Sequence, residues 1–115
     1  LKKIDFLLQN KKNLRNRYCE NFRGIEGIQF FKGPQEGQSN FWLNSLILTK
    51  GFVRFQNKII EQLNCNGFGC RPIWELLNRL PPYQKCPSME LKNANKLQKS
   101  FISVPSSSIL GYINE

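Results

Sequence analysis

The length, composition and charge of the chain exclude several classes of protein. Its 115 residues suit one compact domain, and 40% hydrophobic residues with 12% aromatics can build a core, which excludes global disorder. No apolar run reaches the roughly 18 residues of a membrane span and no signal-peptide pattern opens the chain, so we expect a cytoplasmic protein. A net charge of +9, from 17 Lys and Arg against 8 Asp and Glu, favours anionic partners without choosing among them.

The first predicted element is a long amphipathic helix. Six apolar side chains fall on one face at about 100° per residue, with Lys, Asn and Arg opposite. They are Ile4, Leu7, Leu8, Leu14, Tyr18 and Phe22. Gly24 and Gly27 end the helix, because glycine disfavours helix interiors and readily adopts the left-handed conformation of C-terminal caps.

Two strands are predicted next. Residues 28–31 form a short apolar run that stops at Lys-Gly-Pro, and residues 35–39 follow as a polar loop. Residues 41–48 are almost continuously aromatic or aliphatic, which is typical of a central strand.

A second helix and a third strand follow. The apolar face of the helix consists of Phe52, Phe55, Ile59, Ile60 and Leu63. The helix ends in the breaker-rich residues 64–69. Residues 68–71 then form a short strand that brings Arg71 to an edge of the sheet, where Pro72 ends the pairing because it has no N–H to donate.

The last third of the chain completes the fold class. A helical turn at residues 74–77 precedes two prolines, and a final helix is marked by Leu91, Ala94, Leu97 and Phe101 at helical spacing. Residues 102–104 form a last short strand, followed by a serine-rich turn. The order helix, strand, strand, helix, strand, helix, strand predicts an α/β (α+β-like) small domain with a mixed sheet packed against helices.

Cysteine usage and the first residue describe the setting of the domain. The four cysteines are scattered, only Cys65 and Cys70 lie close together, and the chain has no His, so we expect reduced thiols and no metal site. The chain begins with Leu1 and not with Met, and we expect it to be a piece of a longer protein.

Residues 69–83 carry the densest set of candidate binding side chains. Arg71 offers a planar fork of donors for carboxylate or phosphate, while Trp74 and Tyr83 offer flat surfaces and the prolines fix the backbone between them. Composition alone leaves another interpretation open, in which Trp74 and Tyr83 fill a corner of the core and Arg71 pairs with a surface carboxylate.

The order of several short blocks resembles the C-terminal domain of the DegT/DnrJ/EryC1/StrS sugar aminotransferases. It resembles above all the branch that makes amino-sugar precursors of legionaminic-type nonulosonic acids. The blocks are a helix with a late tyrosine, Ser-Asn-aromatic-Trp-Leu, a Gly-x-x-x-Arg-Pro-x-Trp turn, Pro-x-Tyr, and an Ala-containing helix that leads to a Pro-Ser strand end. They lie at residues 11–18, 39–43, 67–74, 81–83 and 94–106. Two positions depart from the family pattern: Asn78 stands where His is common, and Val104 where Leu is common.

The resemblance implies the small domain of a fold type I aminotransferase, a homodimer in full length that works in amino-sugar and surface polysaccharide biosynthesis. In such enzymes a lysine of the large domain holds pyridoxal 5'-phosphate (PLP), which acts as the electron sink. That lysine, the Asp partner of the cofactor and the phosphate-binding residues belong to the absent large domain. The chain alone is then inactive and has no catalytic residue of its own, and its Lys11, Lys12, Lys50 and Lys85 are expected at the surface.

The resemblance also assigns substrate-binding roles in this chain. Arg71 would bind a phosphate or carboxylate, and Trp74, Asn78 and Tyr83 would shape the wall of the site. The substrates implied are a nucleotide-linked keto-sugar, with a 4-keto sugar as our expectation, and an amino-acid donor, usually glutamate in this family. The Asn78 departure bears directly on whether that polar contact is retained.

Two alternatives stay open at the level of sequence. A free-standing basic module for RNA or single-stranded DNA would use the basic residues for phosphates and Trp42, Trp74 or Tyr83 for base stacking, although no known nucleic-acid signature is present. A non-catalytic remnant, or a chain that only pairs with another subunit, is the second.

Overall fold

A computed structural model describes residues 2–33, 36–37 and 39–112. Within these residues the chain forms three α-helices, α1 (Ile4–Asn21), α2 (Gln56–Cys65) and α3 (Lys92–Ser100), and four strands, β1 (Ile28–Phe30), β2 (Asn44–Leu48), β3 (Arg71–Pro72) and β4 (Phe101–Val104). Short 3-10 helices lie at Val53–Phe55, Leu77–Arg79, Pro81–Tyr83 and Ser108–Gly111. The predicted fold class, a small domain with a sheet packed against helices, is confirmed.

The four strands of the described chain form one sheet in the order β1-β2-β4-β3. Every neighbouring pair is antiparallel, with Leu46 of β2 opposite Phe30 on one side and Ile102 on the other. The prediction of a mixed sheet is therefore wrong. The crossover through α2 leaves β2 and β3 pointing the same way, but β4 lies between them and opposes both, so no parallel pair forms.

The hydrophobic core surrounds the two central strands. All four residues of β4 are buried, and β2 alternates between buried and half-buried positions. The fully buried side chain of Ile102, 0% exposed, packs with Leu46, Leu48 and Ile60. Burial along the whole of β4 is expected of a central strand that is covered on both faces.

The first helix ends as the sequence predicts, although its apolar face is only partly covered. Gly24 and Gly27 follow α1 with φ angles of +79° and +82°, the left-handed region that glycine adopts without strain. A Cβ at Gly27 would also collide with the Phe52 ring. Leu14 is buried, whereas Ile4 and its neighbours on the first two turns are exposed.

The predicted strand at residues 41–48 is wrong over its first three residues. Phe41 has a φ of +51°, which is outside the strand region and uncommon for a residue other than glycine. The Phe41 amide donates to Ser39 Oγ at 3.0 Å, and the Trp42 amide donates to Asn40 Oδ1 at 3.0 Å. These local bonds compete with strand pairing, so β2 begins only at Asn44.

The segment around β3 also differs from the sequence prediction. Strand pairing begins at Arg71 and includes Pro72. Pro72 lies on the edge strand β3, opposite Ile102 of the central strand β4. Proline is tolerated there because an edge strand needs hydrogen bonds on one side only. The helical turn predicted at residues 74–77 lies instead at Leu77–Arg79.

We expect Ile102→Ala to destabilise the chain by about 3 kcal/mol, because it removes a fully buried branched side chain and leaves a cavity in the core cluster with Leu46, Leu48 and Ile60. Urea denaturation followed by circular dichroism measures the loss. Met89→Ala is the control, since Met89 is 87% exposed and its truncation should change stability by less than about 0.5 kcal/mol. Equal effects of the two substitutions would contradict the placement of β4 at the centre.

The four thiols should differ in reactivity. Cys70 is buried, and burial raises the pKa of its thiol, so little of the reactive thiolate is present at pH 8. Cys65 and Cys86 are exposed. Iodoacetamide at pH 8, read by mass spectrometry, should label Cys65 and Cys86 well before Cys70, and urea should remove the difference. Labelling of native Cys70 as fast as Cys86 would show that this part of the core is open.

Candidate functional site

Arg71 lies on the edge strand β3 with an exposed side chain, opposite Ser103 of β4. The two salt bridges within the described residues join Arg79 to Glu75 and Lys92 to Glu90, and neither involves Arg71. Its guanidinium is therefore available to bind an anion. The alternative in which Arg71 pairs with a surface carboxylate of this domain has no support among the described contacts.

Trp74 follows the edge strand β3 and contacts Trp42, which lies in a distant part of the sequence, before β2. The two indole rings are 6.1 Å apart between centroids and tilted by 56°. Trp42 is 63% exposed and Trp74 is 71% exposed, so neither fills the core. The sequence analysis gave Trp42 a binding role only in the nucleic-acid alternative, although it lies in one of the blocks that resemble the family, since nothing in the sequence pairs residues so far apart.

Asn78 lies in the 3-10 helix Leu77–Arg79 and is half-buried. Its side-chain oxygen Oδ1 is buried and accepts no hydrogen bond from the described residues. Most buried polar atoms in proteins have a partner, and an unpaired one costs about 1–3 kcal/mol. The Asn78 amide therefore has an unused acceptor at the position where the family commonly carries His.

Tyr83 ends the 3-10 helix Pro81–Tyr83 and is exposed, so it does not fill a corner of the core. Among the described contacts, no side-chain hydrogen bond joins it to Arg71, Trp74 or Asn78. The structure thus places the four predicted residues along one exposed segment and brings only Trp74 into contact with an aromatic partner elsewhere.

Arg79 fixes this segment, although the sequence analysis did not single it out. Its guanidinium donates to Glu75 Oε1 at 3.0 Å and to Asn95 Oδ1, and so ties the segment to α3. The Asn95 amide in turn donates to the Leu91 carbonyl at 2.8 Å. The spacing of Glu75 and Arg79, four residues apart, is the signal that could have identified the pair.

Lys11 connects α1 to the segment before β2 and to the segment after β4. Its ammonium donates to the Ser106 carbonyl at 2.6 Å and to the carbonyls of Phe41 and Trp42 at 3.4 Å each. It is half-buried and structural, so the expectation that it is a surface lysine is wrong. Every other lysine of the chain, including Lys12, Lys50 and Lys85, is exposed as expected.

A cleft of about 990 Å³ lies between α1 and residues 31–44. Its polar lining includes both basic and acidic side chains, so it has no single sign of charge. They are Asp5, Gln9, Lys12, Arg15, Lys32, Glu36, Ser39, Asn40 and Asn44. None of Arg71, Trp74, Asn78 or Tyr83 lines this cleft.

The described residues contain neither a group of metal ligands nor a membrane-spanning helix. Across residues 2–33, 36–37 and 39–112, no three His, Cys, Asp or Glu side chains are grouped as metal ligands would be. The same part of the chain contains no helix both long and apolar enough to cross a membrane. All four cysteines are free thiols.

We expect Lys11→Met to loosen residues 39–43, because it removes the ammonium that fixes the Phe41 and Trp42 carbonyls. Loss of these charge-assisted bonds should cost about 2 kcal/mol of stability and speed proteolysis between residues 36 and 44. Urea denaturation and timed proteolysis with mass spectrometry measure the two effects. The neighbouring Lys12→Met is the control, since Lys12 is exposed, and identical behaviour of the two variants would contradict this role.

Solved aminotransferases have the same fold as this chain. Helicobacter pylori PseC, an aminotransferase involved in the biosynthesis of pseudoaminic acid, is similar with a TM-score of 0.84 and 21% identity over 94% of this chain and 29% of that chain. The aminotransferase TlmJ from Streptoalloteichus hindustanus is similar with a TM-score of 0.83 and 13% identity, over 96% of this chain and 29% of that chain. DesI, solved in the presence of its TDP-sugar product, is similar with a TM-score of 0.76 and 18% identity, over 90% of this chain and 26% of that chain.

The extent of these matches defines what they establish. At these identities the likeness establishes the fold, and the chain spans less than a third of the length of each structure. A search of the curated proteins gave no match. The sequence itself, however, matches the profile of one family over residues 1–112. The chain therefore belongs to the DegT/DnrJ/EryC1/StrS aminotransferase family.

Proposed function

We propose that this chain is the C-terminal small domain of a PLP-dependent aminotransferase that transfers an amino group from glutamate to a nucleotide-linked keto-sugar. The observation that carries the proposal is the family match over residues 1–112 in a chain that covers only 29% of PseC. The printed descriptions of PseC and DesI, which name pseudoaminic acid biosynthesis and a TDP-sugar product, support a sugar substrate. A legionaminic-type product and a homodimeric, cytoplasmic enzyme complete the proposal.

The residues of this chain do not fit a PLP site of their own. When bound, PLP withdraws electrons from the carbon that carries the amino group, and it is attached through a lysine in a sheltered pocket. Lys11 is hydrogen-bonded to three backbone carbonyls, and every other lysine is exposed. We therefore assign the cofactor lysine to the rest of the protein, and the isolated chain is inactive.

The part of this chain in the reaction is substrate recognition. The exposed Arg71 guanidinium suits the phosphates of a nucleotide or a carboxylate of the donor. The unused acceptor of Asn78 suits a hydroxyl or amide donor of the substrate, which is the role left open by the loss of the family's His. Trp74 and Tyr83 add flat walls. The net charge of +9 favours encounter with such anions.

The uncovered face of α1 is the proposed contact with the large domain. Its apolar residues Ile4, Leu7 and Leu8 are exposed, while Leu14 on the same helix is buried. Apolar side chains grouped on one face of a helix are usually covered by another element. The protein outside this chain, more than two thirds of the length of the matched structures, would supply that cover.

The full reading frame that contains this chain tests the proposal. The purified protein should convert a UDP-, GDP- or TDP-linked keto-sugar to the amino-sugar with glutamate as donor, as read by mass spectrometry of the product. The isolated 115-residue chain should show no turnover. If borohydride fixes PLP covalently to a lysine of this chain, the assignment of the cofactor lysine is wrong. A full-length protein that folds and binds PLP but converts no keto-sugar would favour the remnant alternative.

We expect Arg71→Ala in the full-length enzyme to raise the KM for the nucleotide-sugar by about 10- to 100-fold, because a charge-assisted bond to phosphate contributes about 1.5–3 kcal/mol. The KM for glutamate separates the two candidate anions, since it should stay unchanged if Arg71 binds phosphate. Arg23→Ala is the matched control, an exposed arginine that follows α1. Unchanged KM values for both substrates in Arg71→Ala would remove Arg71 from the site.

A further inference from the structure

The contact between Trp42 and Trp74 is the most unusual exposed feature of the described surface. Two indoles from distant parts of the chain meet at 6.1 Å, yet both keep more than 60% of their surface exposed. Trp is a large apolar side chain that is normally well covered, and paired exposed aromatics mark binding surfaces. The pair therefore calls for a ligand that covers it.

The backbone that carries Trp42 is held in place on both sides. The Trp42 amide donates to Asn40 Oδ1, and its carbonyl accepts a hydrogen bond from Lys11. The preceding residue, Phe41, has a φ of +51°, a conformation that costs about 1–3 kcal/mol and persists only where surrounding contacts impose it. Such strain is concentrated at functional sites. Trp42 is thus presented on a fixed support and not on a loose loop.

The other indole is also supported, and it has a cation nearby. Trp74 lies between the edge strand β3 and the 3-10 helix that Arg79 ties to α3. Arg71 is only three residues before Trp74, which places the two Cα atoms at most about 10 Å apart even in extended chain. An exposed indole face, with a guanidinium at this range that has no salt bridge among the described residues, matches a base followed by phosphates.

We propose that Trp42 and Trp74 together form the stacking surface for the base of the nucleotide-linked substrate, with Arg71 beside it for the phosphates. Because the rings are tilted by 56°, the base lies on the face of one indole and meets the edge of the other. The inference rests on the proposed function and adds to it the group that these side chains recognise. Any nucleotide base can stack on an aromatic side chain, because every base has a π-face. Each such contact contributes measurably to the affinity. Trp42 becomes a substrate-binding residue that the sequence motif alone does not assign.

The test measures nucleotide binding by the full-length enzyme. Trp42→Ala and Trp74→Ala should each weaken the Kd of UDP or TDP on the order of 10-fold, measured by calorimetry, and raise the KM for the nucleotide-sugar equally. The kcat and the KM for glutamate should stay within about 2-fold. Trp42→Phe should recover most of the affinity because it keeps an aromatic face, and the Kd of inorganic pyrophosphate should not change.

Controls and contrary outcomes keep the inference separate from the proposed function. Phe68→Ala, at another exposed aromatic, should leave the nucleotide affinity unchanged. An active enzyme whose Trp variants bind UDP and TDP normally would overturn the stacking surface while leaving the proposed function intact. Trp variants that no longer form the dimer, or in which the KM for the nucleotide-sugar and the KM for glutamate rise together, would show that another part of the protein covers Trp42 and Trp74. A wild-type protein without aminotransferase activity that binds mixed oligonucleotides tightly would overturn both.

Discussion

The ammonium group of Lys11 joins α1 to the two segments that flank the paired strands β2 and β4. It extends from the middle of α1 to the Ser106 carbonyl after β4 and to the Phe41 and Trp42 carbonyls before β2. A half-buried cation needs such partners, since its desolvation is unfavourable unless hydrogen bonds compensate it. Tyr18, two turns further along the same face of α1, donates a hydrogen bond from its hydroxyl to the Pro105 carbonyl at 2.9 Å.

This arrangement explains why an irregular segment presents fixed side chains. Ser106 Oγ accepts a hydrogen bond from the Asn44 amide and donates to the Val104 carbonyl, so the end of β4 and the start of β2 are joined by the same residue that Lys11 binds. Residues between these anchors have little freedom even without strand pairing. The conformational entropy of this segment is therefore lost when the domain folds.

Much of the fold could be predicted from periodicity, and the errors have physical causes. The helices and the inner parts of β1, β2 and β4 follow from helical spacing and apolar runs, because those patterns reflect burial. The start of β2 could not be predicted, since Phe41 is as apolar as a strand residue but is held by Lys11 and Ser39. The antiparallel sheet depends on where β4 inserts, which is a tertiary choice that no local pattern records.

The candidate site was predictable in its residue types but not in its partners. Arg71, Trp74, Asn78 and Tyr83 lie in one exposed segment, as their dense spacing and the family resemblance indicate. Trp42 and Lys11 were not predictable as its neighbours, because their contacts join segments more than thirty residues apart.

The central position of β4 also has a consequence during synthesis of the chain. Strand β4 follows β2 and β3 in the sequence but lies between them in the sheet. The pair β1 and β2 can form first, while β2 and β3 each keep an open edge until residues 101–104 have been made. Contacts between residues so distant in sequence slow folding, and open strand edges are templates for aggregation. The nascent domain is therefore most prone to aggregation before β4 has been made. A chaperone, or rapid translation of α3 and β4, would protect it most at that point.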